Sequence, residues 1–396
     1  MAGSRGRSRG LSRRRVLRGL GGVMLGAGVG VGLGGCGGGS AGLALEISAL
    51  AGTVPPQLPG QFQRRGGGAV RVRPVMQLEG LFRELERWGP GPGQAARADG
   101  AAAGAVRSSV ALTMVGDGWL EAAIARGLVG PLGLADRSGW RSLGERWRRL
   151  VWRDRSGRPV PLDDAAGRVW GAPYRWGTTV LVYRRDRVDR MGGPLTDWGD
   201  LWRPQLAGRV MLLNQPREVL GAIAKGLGGS YNAADPMAIA GFGDRLRKLR
   251  SQGLLYGDRD YLQPLLLGDA WAAMGWSHEV LPALERHRSL AAVVPVGGTA
   301  LWADLWVRPA GAAESVAALD WIEFGWDAPV SRQLAEVGLG LALQDLDGAI
   351  ATAPDTTATR RSLRPTAETL ARSEFIEPLD PVARDRYGNL WADLRA

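Results

Sequence analysis

Trp302 and Asp304 stand two residues apart in the run Ala-Leu-Trp-Ala-Asp-Leu-Trp-Val. The run is apolar enough for a strand, and alternate positions of a strand share one face. An indole beside a carboxylate is chemistry for an organic ammonium group. The acid pairs with the charge, and the aromatic face attracts the cation and covers its methylenes. Asp304 lies between Ala303 and Leu305, where an unpaired charge would be costly, which favours a ligand-facing role over a purely structural one. Trp302 has the plainer alternative of a core residue in a chain with 16 tryptophans. Glu218 offers a second carboxylate. It also fits the third position of a helix whose N-cap is Gln215 and whose first residue is Pro216, a capping-box arrangement that competes with any binding role.

Hydrolytic and metal chemistry find little support. The chain has no GxSxG, HExxH or SxxK pattern; His278-Glu279 has Pro282 where a second histidine would be needed. Asp345-x-Asp347-Gly348 is too short for a calcium loop. With two histidines and one cysteine, no cysteine-based metal site and no internal disulfide can form. The sequence therefore argues against an enzyme, a resident cofactor and a metal.

The N-terminus carries two signals end to end. Ser12, the pair Arg13-Arg14, then Val16, Leu17 and Arg18 resemble a twin-arginine export signal. The glycine-rich run ending Leu33-Gly34-Gly35-Cys36 resembles a lipobox, whose cysteine is acylated and becomes the new N-terminus. Residues 19–35 fall short of the roughly 20 apolar residues of a spanning helix and are interrupted by glycines, so they read as a signal peptide. Gly30, Gly32 and Gly35 fit GxGxxG, but no strand precedes them and the match is spurious. Cys36 is the only cysteine, and several acyl chains at about 0.8 kcal/mol per buried CH₂ would anchor it firmly. The expected location is extracytoplasmic and lipid-tethered. Seven arginines and no acid precede Cys36, which leaves +4 of the net +11 for the remainder. Those later arginines are interspersed with acids, so nucleic-acid binding is a weak reading.

These residues need elements to position them. Roughly 360 residues after Cys36 suggest two lobes rather than one core. Residues 37–44 read as a flexible tether. Ala44–Leu50, Ala69–Val75 and Ser109–Val115 read as strands. Leu78, Leu81, Phe82 and Leu85 share one face of a helix over Gln77–Trp88, stopped by Gly89-Pro90. Residues 90–105 are Pro-, Gly- and Ala-rich and read as a surface insertion. A helix is expected from Trp119 to Arg126. Val169–Gly171 and Thr178–Tyr183 read as paired strands around Trp176-Gly177, and Val210–Leu213 as a buried strand followed by the helix Arg217–Lys225. Met237, Phe242, Leu246 and Leu249 mark one helix started by Asp235-Pro236. Trp271–Trp276 and Ala291–Val296 are further strands; Ser315–Phe324 and Thr366–Arg372 are helical. Alternating strands and helices predict mainly parallel sheets.

Five stretches in order resemble the spermidine/putrescine-binding proteins of ABC importers: GDGWLEAAIARGLVGPL (116–132), APYRWGTTVLVY (172–183), DWGDLWRPQLAGRVMLLNQPREVLG (197–221), AMGWS (273–277) and GGTALWADLWVRP (297–309). The resemblance implies an α/β, two-lobed periplasmic-binding-protein-like fold of type 2. Its two hinge crossings would lie near residues 176–180 and 299–304, and the lobes would close on a ligand. On this reading residues 1–35 are the signal and 36–44 the tether. Residues 45–178 with 302–347 form one lobe, and 179–301 with 348–396 the other. The resemblance makes Trp302 and Asp304 ligand contacts, Trp276 an aromatic wall and Glu218 a site carboxylate. It implies a monomer delivering a polyamine or related small cation to a permease and its ATPase. Tyr174 and Trp176 read as hinge packing.

The departures concern the cage. Gln215 stands where the family has an acid. Ser48-Ala49-Leu50-Ala51-Gly52 lacks the family's aromatics, and Gly118 replaces another, with Asp117 and Trp119 beside it. His278 and Glu279 follow where small polar residues are usual. One or two charged hydrogen bonds at about 1.5–3 kcal/mol and two cation–π contacts at about 0.5–2 sum to roughly 3–10. Micromolar binding needs about 8 net, after ordering costs. A sensor or scaffold with a degenerate cleft, or a binding protein for another ligand, is the alternative. A ferric site is disfavoured because none of the six tyrosines are adjacent.

Overall fold

Two long strands, Ala172–Arg184 and Ala300–Pro309, carry the architecture. They run antiparallel, with Leu301 opposite Thr178, Trp302 opposite Gly177, Ala303 opposite Trp176 and Asp304 opposite Arg175. The structure is a computed structural model that describes residues 44–90, 108–252, 255–257, 260–337, 340–347 and 357–395. Contacts divide the chain into Met1–Ala41 and Gly42–Ala396, and both long strands belong to the second unit.

That second unit holds two hydrophobic cores. One gathers Ile47, Leu112, Trp147, Trp176, Leu305 and Trp321. The other gathers Val180, Leu212, Ile223, Phe242, Met274 and Val280. The strand Ala172–Arg184 leaves the first core at Trp176 and enters the second at Val180. The strand Ala300–Pro309 returns, with Ala300 in the second and Leu301 in the first. The chain passes between them again later: Leu346 and Leu370 pack in the first core, Leu363 and Tyr387 in the second. Buried indoles in the first core are satisfied by backbone carbonyls. Trp176 Nε1 donates to Ala342 O at 2.7 Å and Trp147 Nε1 to Leu343 O at 3.0 Å, as buried donors must.

Short strands extend the two crossing strands. Thr113–Gly116 pairs antiparallel with Ala300–Pro309, placing Gly116 opposite Asp304. Ala272–Trp276 and Leu290–Val293 pair antiparallel with Ala172–Arg184, placing Trp276 opposite Thr179. Val210–Leu213 adds to Ala272–Trp276 in parallel, and Leu255–Gly257 adds to it in parallel. At the start of the unit, Leu45–Leu50 and Val70–Val75 form a parallel pair. The sheets are therefore mixed, and the expectation of mainly parallel pairing is corrected. A chain that crosses from one core to the other and comes back must lay those two strands antiparallel.

Two local readings also change. Val169–Gly171 and Thr178–Tyr183 are not paired strands: the second lies within the continuous strand Ala172–Arg184, and Arg168–Val169 pairs instead with Trp152–Arg153. Gly177 is not a turn residue. A Cβ there would sit 2.3 Å from Trp302 Cζ2 and 2.5 Å from Ser277 Oγ, so glycine permits the close approach of the indole. The helix read from Met237 to Leu249 is broken. A single turn, Pro236–Ala238, ends before Gly241, whose φ of 81° starts the separate helix Phe242–Ser251. Left-handed backbone of this kind favours glycine. Among the described residues no helix is long and apolar enough to cross a membrane. The insertion at residues 90–105 lies outside the described residues from 91 onward, as do Arg13, Arg14 and Cys36.

Candidate functional site

The polar side chains converge where the two crossing strands pass between the cores. Asp117 opens the turn Asp117–Trp119 that follows Thr113–Gly116. Because Gly116 is the cross-strand neighbour of Asp304, the Asp117 carboxylate reaches the adjacent strand, and its Oδ1 accepts from Ala303 N at 3.0 Å. Burial pushes its carboxyl up to about 7. The charges of Asp304 and Glu218 add to the rise, while the Ala303 hydrogen bond and Arg153 oppose it. Added Cβ atoms at Gly116 and Gly118 would meet nothing within 4 Å, so space lies open beside this acid.

Glu218 comes from the second core, in the first turn of the helix Pro216–Lys225. Gln215 is the N-cap and Pro216 the first helical residue, as expected, but no side-chain capping bond forms and the capping-box reading fails. The Glu218 carboxylate turns inward instead. One oxygen accepts from Trp276 Nε1 at 3.0 Å, the other from Thr179 Oγ1 at 3.0 Å. Burial raises its pKa against those two donors and Arg217. Trp276 is half-buried, and its backbone N–H donates to the Tyr261 hydroxyl at 3.1 Å. Gln215, three residues before Glu218, is exposed.

Trp302 and Asp304 do share a face, and the chain itself covers it. Arg175, opposite Asp304 in register, donates from Nε to Asp304 Oδ2 at 2.7 Å. The side chains are 2% and 4% exposed. The guanidinium carbon lies 5.4 Å from the Trp302 ring centre. His278, from the helix Ser277–Arg286, meets the same indole edge-on at 4.5 Å. Burial, then Arg175, holds that imidazole well below its ordinary pKa and therefore neutral. Trp302 Nε1 donates to Thr178 O at 3.2 Å. The charge of Asp304, expected to await a ligand, is already engaged.

The structure thus brings together Asp117, Asp304, Glu218, Trp276 and Trp302, while Gln215 is exposed at the start of the helix that carries Glu218. Tyr174 and Trp176 pack into the first core, the tyrosine hydroxyl donating to Thr53 O. Sequence reasoning missed Arg175, Thr179 and Arg153. Arg175 had a signal, since it is the only charge in APYRWGTTVLVY and Asp304 the only charge in ALWADLWV. Each needed a buried partner. Arg153, 2% exposed, is held by Leu150 O at 2.8 Å and Gly157 O at 3.1 Å and lends its charge to Asp117. Thr179 had no such signal.

Among the described residues no cluster of metal-ligating side chains forms. A groove of about 580 Å³ lies away from the crossing strands, lined in part by Phe62, Arg65, Glu323 and Asp327. Its charges are paired, Arg65 with Asp327 and Arg137 with Asp320 and Glu323, so it offers a ligand less than the carboxylates between the cores.

The chain belongs to the bacterial extracellular solute-binding protein family, whose pattern matches residues 87–342. Curated relatives include the spermidine/putrescine-binding periplasmic protein of Escherichia coli K12, 29% identical over 227 residues, covering 57% of this chain and 64% of the relative. The Salmonella typhimurium protein of the same description is 28% identical over 206 residues, 52% of this chain and 58% of its own length. The matches thus span less than two thirds of these relatives. A putrescine/cadaverine-binding protein of Pseudomonas aeruginosa is 25% identical over 240 residues, 58% of this chain and 67% of its own. Each is named as a binding protein, none as an enzyme.

Solved structures share the fold. PotD, the substrate-binding protein of a Streptococcus pneumoniae spermidine/putrescine ABC transporter, superposes with a TM-score of 0.68 at 22% identity, over 89% of this chain and 98% of that one. UgpB of Mycobacterium tuberculosis superposes with a TM-score of 0.60 at 15% identity, over 89% and 97%. The fold is the two-lobed one of periplasmic solute-binding proteins, so the two cores belong to two lobes.

Proposed function

We propose that this chain is the lipid-anchored, extracytoplasmic solute-binding component of an ABC importer. It captures a polyamine or related small cation between its lobes and delivers it to a permease and ATPase. The observation that carries the reading is Glu218: a buried carboxylate aimed at the passage between the cores, held by two uncharged donors, with Asp117 coupled to it from the other side. Two buried acids, one of them hydrogen-bonded to the Trp276 indole, supply the groups that an ammonium site needs. The family supports solute capture, and the names of its relatives support an amine.

The resemblance implies lobes of residues 45–178 with 302–347 and 179–301 with 348–396, although Leu301 and Leu370 of the second set pack in the first core. Arg13 and Arg14 would direct export of the folded protein, and Cys36 would hold it as a monomer at the membrane. Replacing Arg13-Arg14 by two lysines should block export, and Cys36→Ser should release the protein into the soluble fraction.

Ligand binding stabilises by RT ln(1 + [L]/Kd), about 2.7 kcal/mol at a hundredfold excess. The portion after Cys36 contains the self-contained unit and can be melted with putrescine, spermidine and simple monoamines. A melting curve that no amine moves sinks the cation reading. It would instead favour a sensor or scaffold with an unliganded cleft, the second reading that Arg175 against Asp304 makes concrete.

A further inference from the structure

The Trp302–Asp304 pair is the part of the cleft best built for an ammonium group, and it is the part the chain fills itself. Arg175 meets Asp304 directly across the antiparallel pair, Nε to Oδ2 at 2.7 Å, with both side chains almost wholly buried. The guanidinium also lies over the indole, 5.4 Å from its centre. A carboxylate and an aromatic face are what an incoming ammonium would use, and both are spent on this side chain. The stem of Arg175 is fixed as well: a Cβ on Gly340 would meet its Cβ at 3.4 Å and its Cδ at 3.5 Å. His278 meets the Trp302 ring edge-on at 4.5 Å.

Glu218 is in the opposite condition. Its hydrogen bonds come from an indole and a hydroxyl, and Arg217 acts on it through its charge alone. A carboxylate has about four acceptor positions, so two donors leave room for a ligand.

We propose that Arg175 and His278 occupy the Trp302–Asp304 subsite from within, so that the cleft takes a solute with a single ammonium group, received at Glu218, rather than a diamine held at both ends. This rests on the cation-capture reading and narrows its substrate class. Arg175 is then a specificity-determining residue. It is an internal stand-in for one ammonium of a diamine, and a ligand that displaced it would have to break a buried ion pair.

The test is isothermal titration of the portion after Cys36 with butylamine, putrescine and spermidine, in wild type and Arg175→Met. In wild type, putrescine should bind within threefold of butylamine, because its second ammonium finds no free acid. Arg175→Met uncovers Asp304 and Trp302 and should raise the putrescine-to-butylamine ratio at least tenfold, with spermidine following putrescine. A wild-type preference for putrescine of tenfold or more overturns this proposal while leaving cation capture standing. That measurement needs no variant to fold. A folded Arg175→Met protein with an unchanged ratio overturns it too. If wild type binds no amine, butylamine included, the capture reading falls and the monoamine proposal falls with it, whatever Arg175→Met binds.

Discussion

If the chain captures a cation as proposed, Asp117 should make that binding depend on pH. Its carboxyl titrates at about 7, chiefly through burial, with Asp304 and Glu218 adding to the rise. About a tenth of it is ionised at pH 6 and about nine tenths at pH 8. If an ammonium draws on the ionised form, the association constant should rise about tenfold over those two units, while a primary amine, with a pKa near 10, keeps its charge throughout. Titration calorimetry at pH 6, 7 and 8 would read this directly. At pH 7 binding should also release up to about half a proton, visible as a dependence of the measured heat on the ionisation enthalpy of the buffer.

Asp117→Asn should flatten the profile and leave the pH 8 affinity near the wild-type value at pH 6. His278 cannot imitate the effect, since its pKa is held low; Glu218 could, and Glu218→Gln is the control. Stability runs the other way. The folded state holds the Asp117 proton up to about 7 and the unfolded chain loses it near 4, so the ligand-free protein should lose stability as pH rises through that window. An affinity constant from pH 6 to 8, or a slope that survives Asp117→Asn, would refute the assignment.

Glu218→Gln should weaken amine binding by at least tenfold, the loss of one charge-assisted hydrogen bond of about 1.5–3 kcal/mol. Its melting temperature should be equal or higher, because a buried carboxylate is removed. A lowered melting temperature with intact affinity would make Glu218 structural. Gly177→Ala should cost about 1–3 kcal/mol in denaturant unfolding, since the new methyl would collide with Trp302 and Ser277; an unchanged midpoint would mean the strands are not so closely packed. Glu374 is raised by burial, but Lys225 at 2.9 Å, Tyr231 N at 2.9 Å and Ser230 Oγ at 2.8 Å outweigh that and hold its pKa down. Its stabilisation is complete above the unfolded value near 4.3 and fades as pH falls through the folded one. Glu374→Gln should therefore lower stability at neutral pH and shrink the acid-side loss, both read from melting temperatures between pH 3 and 7.

Elements defined by local pattern were legible in the sequence. Val210–Leu213 forms as read, and the helix expected over Gln77–Trp88 forms over Leu78–Trp88. In both cases the apolar spacing alone defines the buried face. What failed depended on distant partners. Gly177 looked like a break because its reason for being glycine, the Trp302 indole, lies on the other crossing strand. Glu218 looked like a cap because the local pattern fits one, whereas Trp276, 58 residues away, turns the side chain inward. Asp304 was recognised as needing a partner, but that partner sits 129 residues away. Finding it required the antiparallel register, which no local pattern contains.

That register also determines where the charges of the site lie relative to the motion of the fold. Asp117 and the Arg175–Asp304 pair sit on strands of the first core, while Glu218, Trp276 and His278 belong to the second. A ligand favours the closed arrangement of two lobes only through contacts it makes more strongly there. A cation held by Glu218 alone would bind without favouring closure, since every partner would move with one lobe. Asp117 is the carboxylate beside the first core that has no contact ion pair among the described residues, and the charge of Glu218 adds to the rise of its pKa. If the lobes close as proposed, bringing the two acids closer without a ligand would be unfavourable, and an ammonium between them would reverse the sign. On the proposed reading, the acid whose proton is held to about 7 would also be the one that links occupancy to closure, whereas Asp304 is already paired with Arg175.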